Sequence, residues 1–92
     1  MKVHELKIET RNLGAVQALV KRFEIRKNDR DYQAGDILIL KEWDGQNFTG
    51  SWIKCYVTHM YTDTSFGMCP DYVILSIHVL STGHDNMEFV QL

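Results

Sequence analysis

Ionisable side chains that could bind a ligand are concentrated between positions 21 and 30 of this 92-residue chain. Five of its ten lysine and arginine residues lie there: Lys21, Arg22, Arg26, Lys27 and Arg30. Glu24 and Asp29 are interleaved with them. Such a mixture suits a nucleotide-like ligand, because cations contact phosphate whereas a carboxylate accepts a hydrogen bond from a base edge.

The predicted ligand-binding or nucleic-acid-binding residues are Lys21, Arg22, Glu24, Arg26, Arg30, Tyr32 and Phe66. The four cations are assigned to phosphates and Glu24 to a base edge. Tyr32 or Phe66 would offer a stacking face. An equally weighted interpretation of Phe66 is a plug that closes one end of a β-barrel. If the protein were a hydrolase, Lys21 would be the catalytic candidate.

Phe23 and Ile25 alternate with Arg22, Glu24 and Arg26. Alternation with period 2 predicts a strand with the apolar residues on one face and the charged residues on the other. A competing interpretation is an ordinary solvated strand face, whose ion pairs neutralise one another and contribute little to stability. Periodicity alone favours this solvated face, since mixed charge is common on exposed strands.

The sequence contains no metal-binding or cofactor motif. The histidines lack partners at the spacing of a first coordination shell, there is no glycine-rich phosphate loop, and there is no nucleophile elbow. Cys55 and Cys69 lie in no CxxC pattern and are expected to be free thiols. The sequence therefore predicts no metal and no cofactor.

Six segments together resemble the ASCH domain family, and within it the small stand-alone bacterial and phage proteins grouped as a domain of unknown function (DUF3850). These segments are 4–8, 21–26, 28–31, 35–36, 37–40 and 72–77. The likeness covers most of the chain. ASCH domains resemble PUA domains, so the resemblance implies a small β-barrel flanked by helices that binds RNA or modified nucleotides.

The ASCH pattern is a glycine, a lysine, two variable residues, a glutamate, one variable residue and an arginine. Lys21, Glu24 and Arg26 match its last three fixed positions. The glycine that usually precedes the lysine is absent, and Leu19 and Val20 stand there instead.

Some compact ASCH proteins that this chain resembles remove an acetyl group from acetylated cytidine. They use a lysine at a helix end, a threonine three residues later and a glutamate on a later strand. Lys21 matches the lysine, but Glu24 occupies the threonine position and residues 72–80 contain no carboxylate. The sequence thus favours a binding module, with a small amidohydrolase or a protein-interaction domain as the alternatives.

Length and composition predict one domain over residues 1–92, with a loosely packed tail at 81–92. The net charge of -2 means that any nucleic-acid binding must come from a local patch. Because no signal-peptide pattern and no long apolar span is present, we expect a cytoplasmic protein with no membrane partner.

Hydrophobic periodicity predicts one helix that begins near Thr10 or Asn12 and closes at Lys21 and Arg22. Strands are predicted at 3–8, 23–27, 37–43, 52–61 and 72–80, loops at 62–71 and 81–86, and a short edge strand at 87–92. The strand at 52–61 is expected to turn its odd-numbered residues inward. The predicted fold class is α+β: a PUA-like β-barrel of about five to six mostly antiparallel strands with one main helix.

Overall fold

The computed structural model describes residues 1–85. Its elements in chain order are β1 (Val3–Glu9), α1 (Thr10–Gln17), β2 (Phe23–Lys27), β3 (Ile37–Trp43), β4 (Phe48–Tyr61) and β5 (Tyr72–His84). The strands form one curled sheet in the order β1-β3-β4-β5-β2. β1 and β3 are parallel, and the other pairs are antiparallel. The predicted α+β class, with one helix and a mostly antiparallel sheet, is confirmed.

The hydrophobic core fills the concave side of the sheet under α1. Strict alternation buries Leu6 and Ile8 of β1, and the helix adds Leu13 and Val16. The other strands contribute Leu38, Leu40, Ile53, Cys55, Val57, Val73, Leu75 and Ile77. Each such aliphatic side chain contributes about 1.5–3 kcal/mol when it is fully removed from water.

The alternation in β2 is present, but its charged face is the inward one. Glu24 is 3% exposed, whereas Phe23 and Ile25 are 41% and 55% exposed. The solvated-face interpretation is therefore wrong for Glu24. The physical reason is that the curl of the sheet brings β2, an edge strand paired only with β5, against β1, where Arg26 contacts the Lys7 carbonyl.

Helix α1 ends earlier than predicted, at Gln17, and the expected closure at Lys21 and Arg22 is wrong. Leu19 adopts the left-handed conformation with φ 62°. The Leu19 N–H donates to the Val16 carbonyl and the Val20 N–H to the Ala15 carbonyl, both at 3.0 Å. This is the Schellman arrangement, which satisfies the last carbonyls of a helix.

Residues 1–85 contain one helix, the eight-residue α1, and no helix there has the length and apolar character needed to cross a membrane. A left-handed turn follows the helix, and Lys21 lies two residues before the start of β2.

The inward face of β4 is confirmed for Ile53, Cys55 and Val57, which are fully buried. It is wrong for His59, which is exposed, because a register shift lies between Val57 and His59. Met60 packs against the core in its place. A bulge adds one residue to a strand and so reverses the faces beyond it.

β4 and β5 form a longer hairpin than expected. β4 already begins at Phe48, and β5 continues to His84, which pairs with Ser51. The predicted loop is therefore wrong from Ser81 to His84. The predicted edge strand at 87–92 lies outside the described residues.

Candidate ligand-binding cleft

The two edge strands, β1 and β2, meet through arginine side chains rather than through a backbone ladder. The Arg26 Nη2 donates to the Lys7 carbonyl at 2.9 Å, and the Arg30 Nη1 donates to the Glu5 carbonyl at 3.0 Å. These two bonds cap carbonyl groups that an edge strand otherwise leaves unpaired. We call this junction of β1 and β2 the seam.

A cavity of about 380 Å³ opens at the seam between β1, the first turn of α1 and β2. We call it the seam cleft. It is lined by Lys7, Ile8, Glu9, Asn12, Lys21, Glu24, Ile25 and Arg26.

Glu24 holds two cations side by side in this cleft. Its Oε2 accepts a hydrogen bond from the Lys21 Nζ at 2.5 Å. Its Oε1 accepts from the Arg26 Nε at 3.0 Å and from the Arg26 Nη2 at 2.7 Å. Charge-assisted, forked bonds of this kind fix geometry as well as contributing energy. Glu24 is thus first of all the anchor of Lys21 and Arg26.

Lys21 and Arg26 retain hydrogen-bonding capacity toward the cleft. Their side chains are 20% and 22% exposed. An ammonium carries three N–H groups and a guanidinium five, and within residues 1–85 the Arg26 Nη1 has no acceptor. Together with Glu24 they carry a net charge of +1, and the opposite charges of Lys7 and Glu9 cancel. The cleft can therefore hold an anionic group such as phosphate.

The other predicted cations lie outside the cleft. The exposed Arg22 donates through Nε to the Leu19 carbonyl at 3.1 Å. It lines a neighbouring cavity that shares Lys21 with the seam cleft but not Glu24 or Arg26. Arg30 lies at the seam, where it caps β1. The structure therefore brings together Lys21, Glu24 and Arg26, but not Arg22 or Arg30.

The aromatic candidates also lie elsewhere. Tyr32 is 1% exposed and its ring packs against His4, with centroids 4.7 Å apart. Its assignment as a stacking face is wrong, because no ligand can reach a fully buried ring. Burial raises the pKa of the Tyr32 hydroxyl, partly opposed by the charges of Arg30 and Arg26. Phe66 is 87% exposed and does not line the cleft.

Sequence reasoning missed the cleft wall that comes from β1 and α1, namely Lys7, Glu9 and Asn12. Lys7 and Glu9 appear as ordinary exposed positions of an alternating strand. Only the curl of the sheet brings them opposite β2, so no local signal identified them.

A second buried carboxylate, Asp36, lies at the start of β3. Its Oδ2 is 2.8 Å from the His4 Nε2 and accepts the Gln33 N–H at 3.0 Å, while its Oδ1 accepts the Lys2 N–H at 3.0 Å. Burial alone raises the pKa of Asp36, but the His4 ring and the two amides outweigh it and hold the pKa below its usual value. This cluster ties the N-terminus to β3.

The described part of the chain supports neither a cysteine nucleophile at Cys55 nor a metal site. Burial raises the pKa of the Cys55 thiol to about 12, so it is an inert core residue rather than a nucleophile. Among residues 1–85, no three His, Cys, Asp or Glu side chains are grouped so that they could hold a metal ion.

The fold and the cleft together define a small α+β protein whose curled, mostly antiparallel sheet carries a cationic cleft between its edge strands. The chain belongs to the family described as a domain of unknown function (DUF3850), whose profile matches residues 3–77. Every residue that lines the seam cleft lies within that range.

A relative of this chain is an uncharacterized 12.9 kDa protein in the GpA 3′ region of Escherichia phage P2. The two are 42% identical over 74 residues, which cover 80% of this chain and 66% of the phage protein.

Proposed function

We propose that this protein is a binding module for RNA or a nucleotide-like ligand, and that the ligand's phosphate binds in the seam cleft. The observation that carries the proposal is the clamping of Lys21 and Arg26 by the buried Glu24, which leaves both cations with donors for an anion. The chain as a whole has a net charge of -2, so the attraction is local to the cleft.

Stability alone is a poor reason to keep such a cluster. Replacing a buried ion pair with well-packed apolar residues is often neutral or stabilising, because removing charges from water is costly. The Lys21–Glu24–Arg26 cluster lines an open cavity rather than the apolar core. A binding role explains why the charges are placed there.

The resemblance to ASCH domains supports the same proposal. The three residues that match the ASCH pattern, Lys21, Glu24 and Arg26, are the three that meet in the seam cleft. We therefore propose that the curled sheet is a PUA-like barrel, and that its open seam is the ligand site.

The test is binding of fluorescently labelled single-stranded RNA and of nucleoside monophosphates. We expect Lys21→Ala and Arg26→Ala each to weaken affinity about tenfold, since a hydrogen bond to a charged group contributes about 1.5–3 kcal/mol. Lys54→Ala is the matched control, because Lys54 is exposed on β4 and does not line the cleft. Circular dichroism checks the fold. Undiminished affinity in both cleft variants would refute the proposal.

A hydrolase remains the alternative because the Lys21 Nζ lies 2.5 Å from a carboxylate inside the cleft. The carboxylate is that of Glu24, however, and β5 supplies none between Tyr72 and His84. Incubation with acetylcytidine separates the two functions. Deacetylation that disappears in Lys21→Ala would establish catalysis, whereas tight binding without turnover supports the binding module.

A further inference from the structure

A second cavity, of about 350 Å³, lies across β1 from the seam cleft. We call it the outer groove. Its lining includes Glu5, Lys7, Lys41, Phe48, Trp52 and Asp85. It crosses β1, β3 and β4 on the face of the sheet that Lys7 and Lys41 share.

The charged residues that line the outer groove sum to -1, because Glu5, Glu42 and Asp85 are negative and Lys7 and Lys41 are positive. Glu5 forms an ion pair with Lys41. The Asp85 Oδ1 accepts a hydrogen bond from the Trp52 Nε1 at 3.3 Å. The groove thus presents aromatic surface without net positive charge, which suits a flat, neutral ring better than a phosphate.

The aromatic rings of the groove are held in place. A Cβ atom at Gly83 would lie 2.3 Å from the Trp52 Cζ2, so only glycine permits the indole to lie against β5. Phe48 packs edge-to-face on Trp43, with ring centroids 5.0 Å apart, and is still 47% exposed. Phe48 therefore offers a positioned ring to a ligand.

Lys7 joins the two cavities, because it lines both of them. Its carbonyl accepts the Arg26 guanidinium at the seam, while its Nζ lies 4.1 Å from the centre of the Trp43 ring beside the groove. A ligand that occupies the seam cleft can therefore reach the outer groove by crossing β1 at Lys7.

We infer that the ligand is a single nucleic-acid strand of at least two nucleotides rather than a free nucleotide. This inference rests on the proposed function. One phosphate binds to Lys21 and Arg26 in the seam cleft, and a neighbouring base stacks on Phe48 and Trp52 in the outer groove. The net positive charge of the seam cleft favours the phosphate, whereas the aromatic surface of the outer groove favours the base.

The test compares tetraribonucleotides of each of the four bases with the corresponding 5′-mononucleotides. We expect the wild-type protein to bind the preferred tetranucleotide at least about tenfold more tightly than its mononucleotide, the usual contribution of one stacked base. Phe48→Ala should remove that advantage and leave mononucleotide affinity unchanged. Lys21→Ala should weaken the binding of both ligands.

Phe48→Tyr keeps the ring and should bind like wild type. Tyr72→Ala is the matched control, since Tyr72 is an aromatic residue of similar exposure, 42%, that lines neither cavity. If Phe48→Ala fails to fold, Phe48→Leu tests the same point, because it retains apolar bulk without the aromatic face.

Equal affinity of the wild-type protein for tetranucleotide and mononucleotide would confine the ligand to the seam cleft and overturn this inference alone. The same holds if Phe48→Ala keeps the tetranucleotide advantage. If neither ligand binds the wild-type protein, the proposed function fails and the inference fails with it.

Discussion

Glu24 and Asp36 are both buried carboxylates in one small domain, with exposures of 3% and 2%. Their surroundings differ. Asp36 is bonded to a histidine ring and two backbone amides, which belong to the segments it joins. Glu24 is bonded to two cationic side chains that line an open cavity.

This difference separates a structural carboxylate from one that organises the proposed binding site. The hydrogen bonds to Asp36 fix the N-terminal segment, through Lys2 and His4, and the turn at Gln33 to the start of β3. The two cations bonded to Glu24 carry twice its charge, and they have more N–H groups than one carboxylate can accept hydrogen bonds from. Burial of a carboxylate alone therefore does not indicate function, whereas unused donors that face a cavity do.

The largest expected effect is on Glu24. Glu24→Gln should lower the free energy of unfolding in urea by about 3 kcal/mol, because it leaves two partly buried cations without their counter-charge. Glu5→Gln, which removes the exposed carboxylate that pairs with Lys41, should cause no measurable change.

Added phosphate sharpens the test of Glu24. It should stabilise Glu24→Gln more than the wild-type protein by binding the uncompensated cations, whereas Asp36→Asn, whose cleft is intact, should gain only as much as the wild-type protein. Equal responses of the two variants to phosphate would erase the distinction between the two carboxylates.

Asp36→Asn should lower the free energy of unfolding by about 2 kcal/mol, because an amide nitrogen then faces a backbone N–H and cannot accept a hydrogen bond from it. Its RNA affinity should stay at the wild-type level. Since the pKa of Asp36 is lower when folded than its ordinary 3.8, this carboxylate stabilises the fold above that pH, and its contribution is lost as pH falls through the folded pKa.

Urea unfolding between pH 6 and about 2 checks this sign. The stability of Asp36→Asn should fall less steeply with acid than that of the wild-type protein. Parallel pH profiles would show that Asp36 does not contribute in this way.

The salt dependence of RNA binding tests how many phosphates the cleft neutralises. If Lys21 and Arg26 together bind one phosphate of a single strand, log affinity should fall against log salt with a slope of about -0.7, and the Lys21→Ala/Arg26→Ala double variant should bring that slope toward zero. Asp36→Asn should leave it unchanged. A slope near zero for the wild-type protein would contradict phosphate binding in the seam cleft.

The smallest expected effect concerns the turn before Lys21. Leu19 has φ 62° and is 52% exposed, so Leu19→Gly should stabilise the fold by about 1 kcal/mol by relieving the left-handed strain. Asp31 also has a positive φ, 50°, but aspartate tolerates this conformation better than leucine does.

Ala18→Gly is the control for Leu19. Ala18 has φ -79° in the right-handed region, so glycine there should destabilise the fold. Thermal melting of both variants checks the opposite signs, and a loss of stability in Leu19→Gly would show that its backbone is not strained.

Local patterns predicted β1, β2, β3 and the interior side chains of β4 as far as Val57. They failed at the bulge beyond Val57, because a single extra residue leaves no trace in the alternation. They also failed at the end of α1, where leucine occupies a conformation that glycine usually adopts.

The candidate site was predicted in part. Lys21, Glu24 and Arg26 were identified because they are near neighbours in the sequence and match a family pattern. Asn12 and Lys7 were missed because they come from the other side of the seam. Tyr32 was assigned wrongly, since an aromatic residue among charged neighbours gives no sign that it packs under the sheet.

The sequence by itself determined which residues share a strand face and where cationic charge is concentrated, because periodicity and composition are local properties. Only the tertiary structure decided that the charged face of β2 is the buried one. Long-range pairing places β2 at one edge of the sheet, and the curl brings that edge against β1. Which face loses its contact with water is therefore set by distant strands and not by the strand itself.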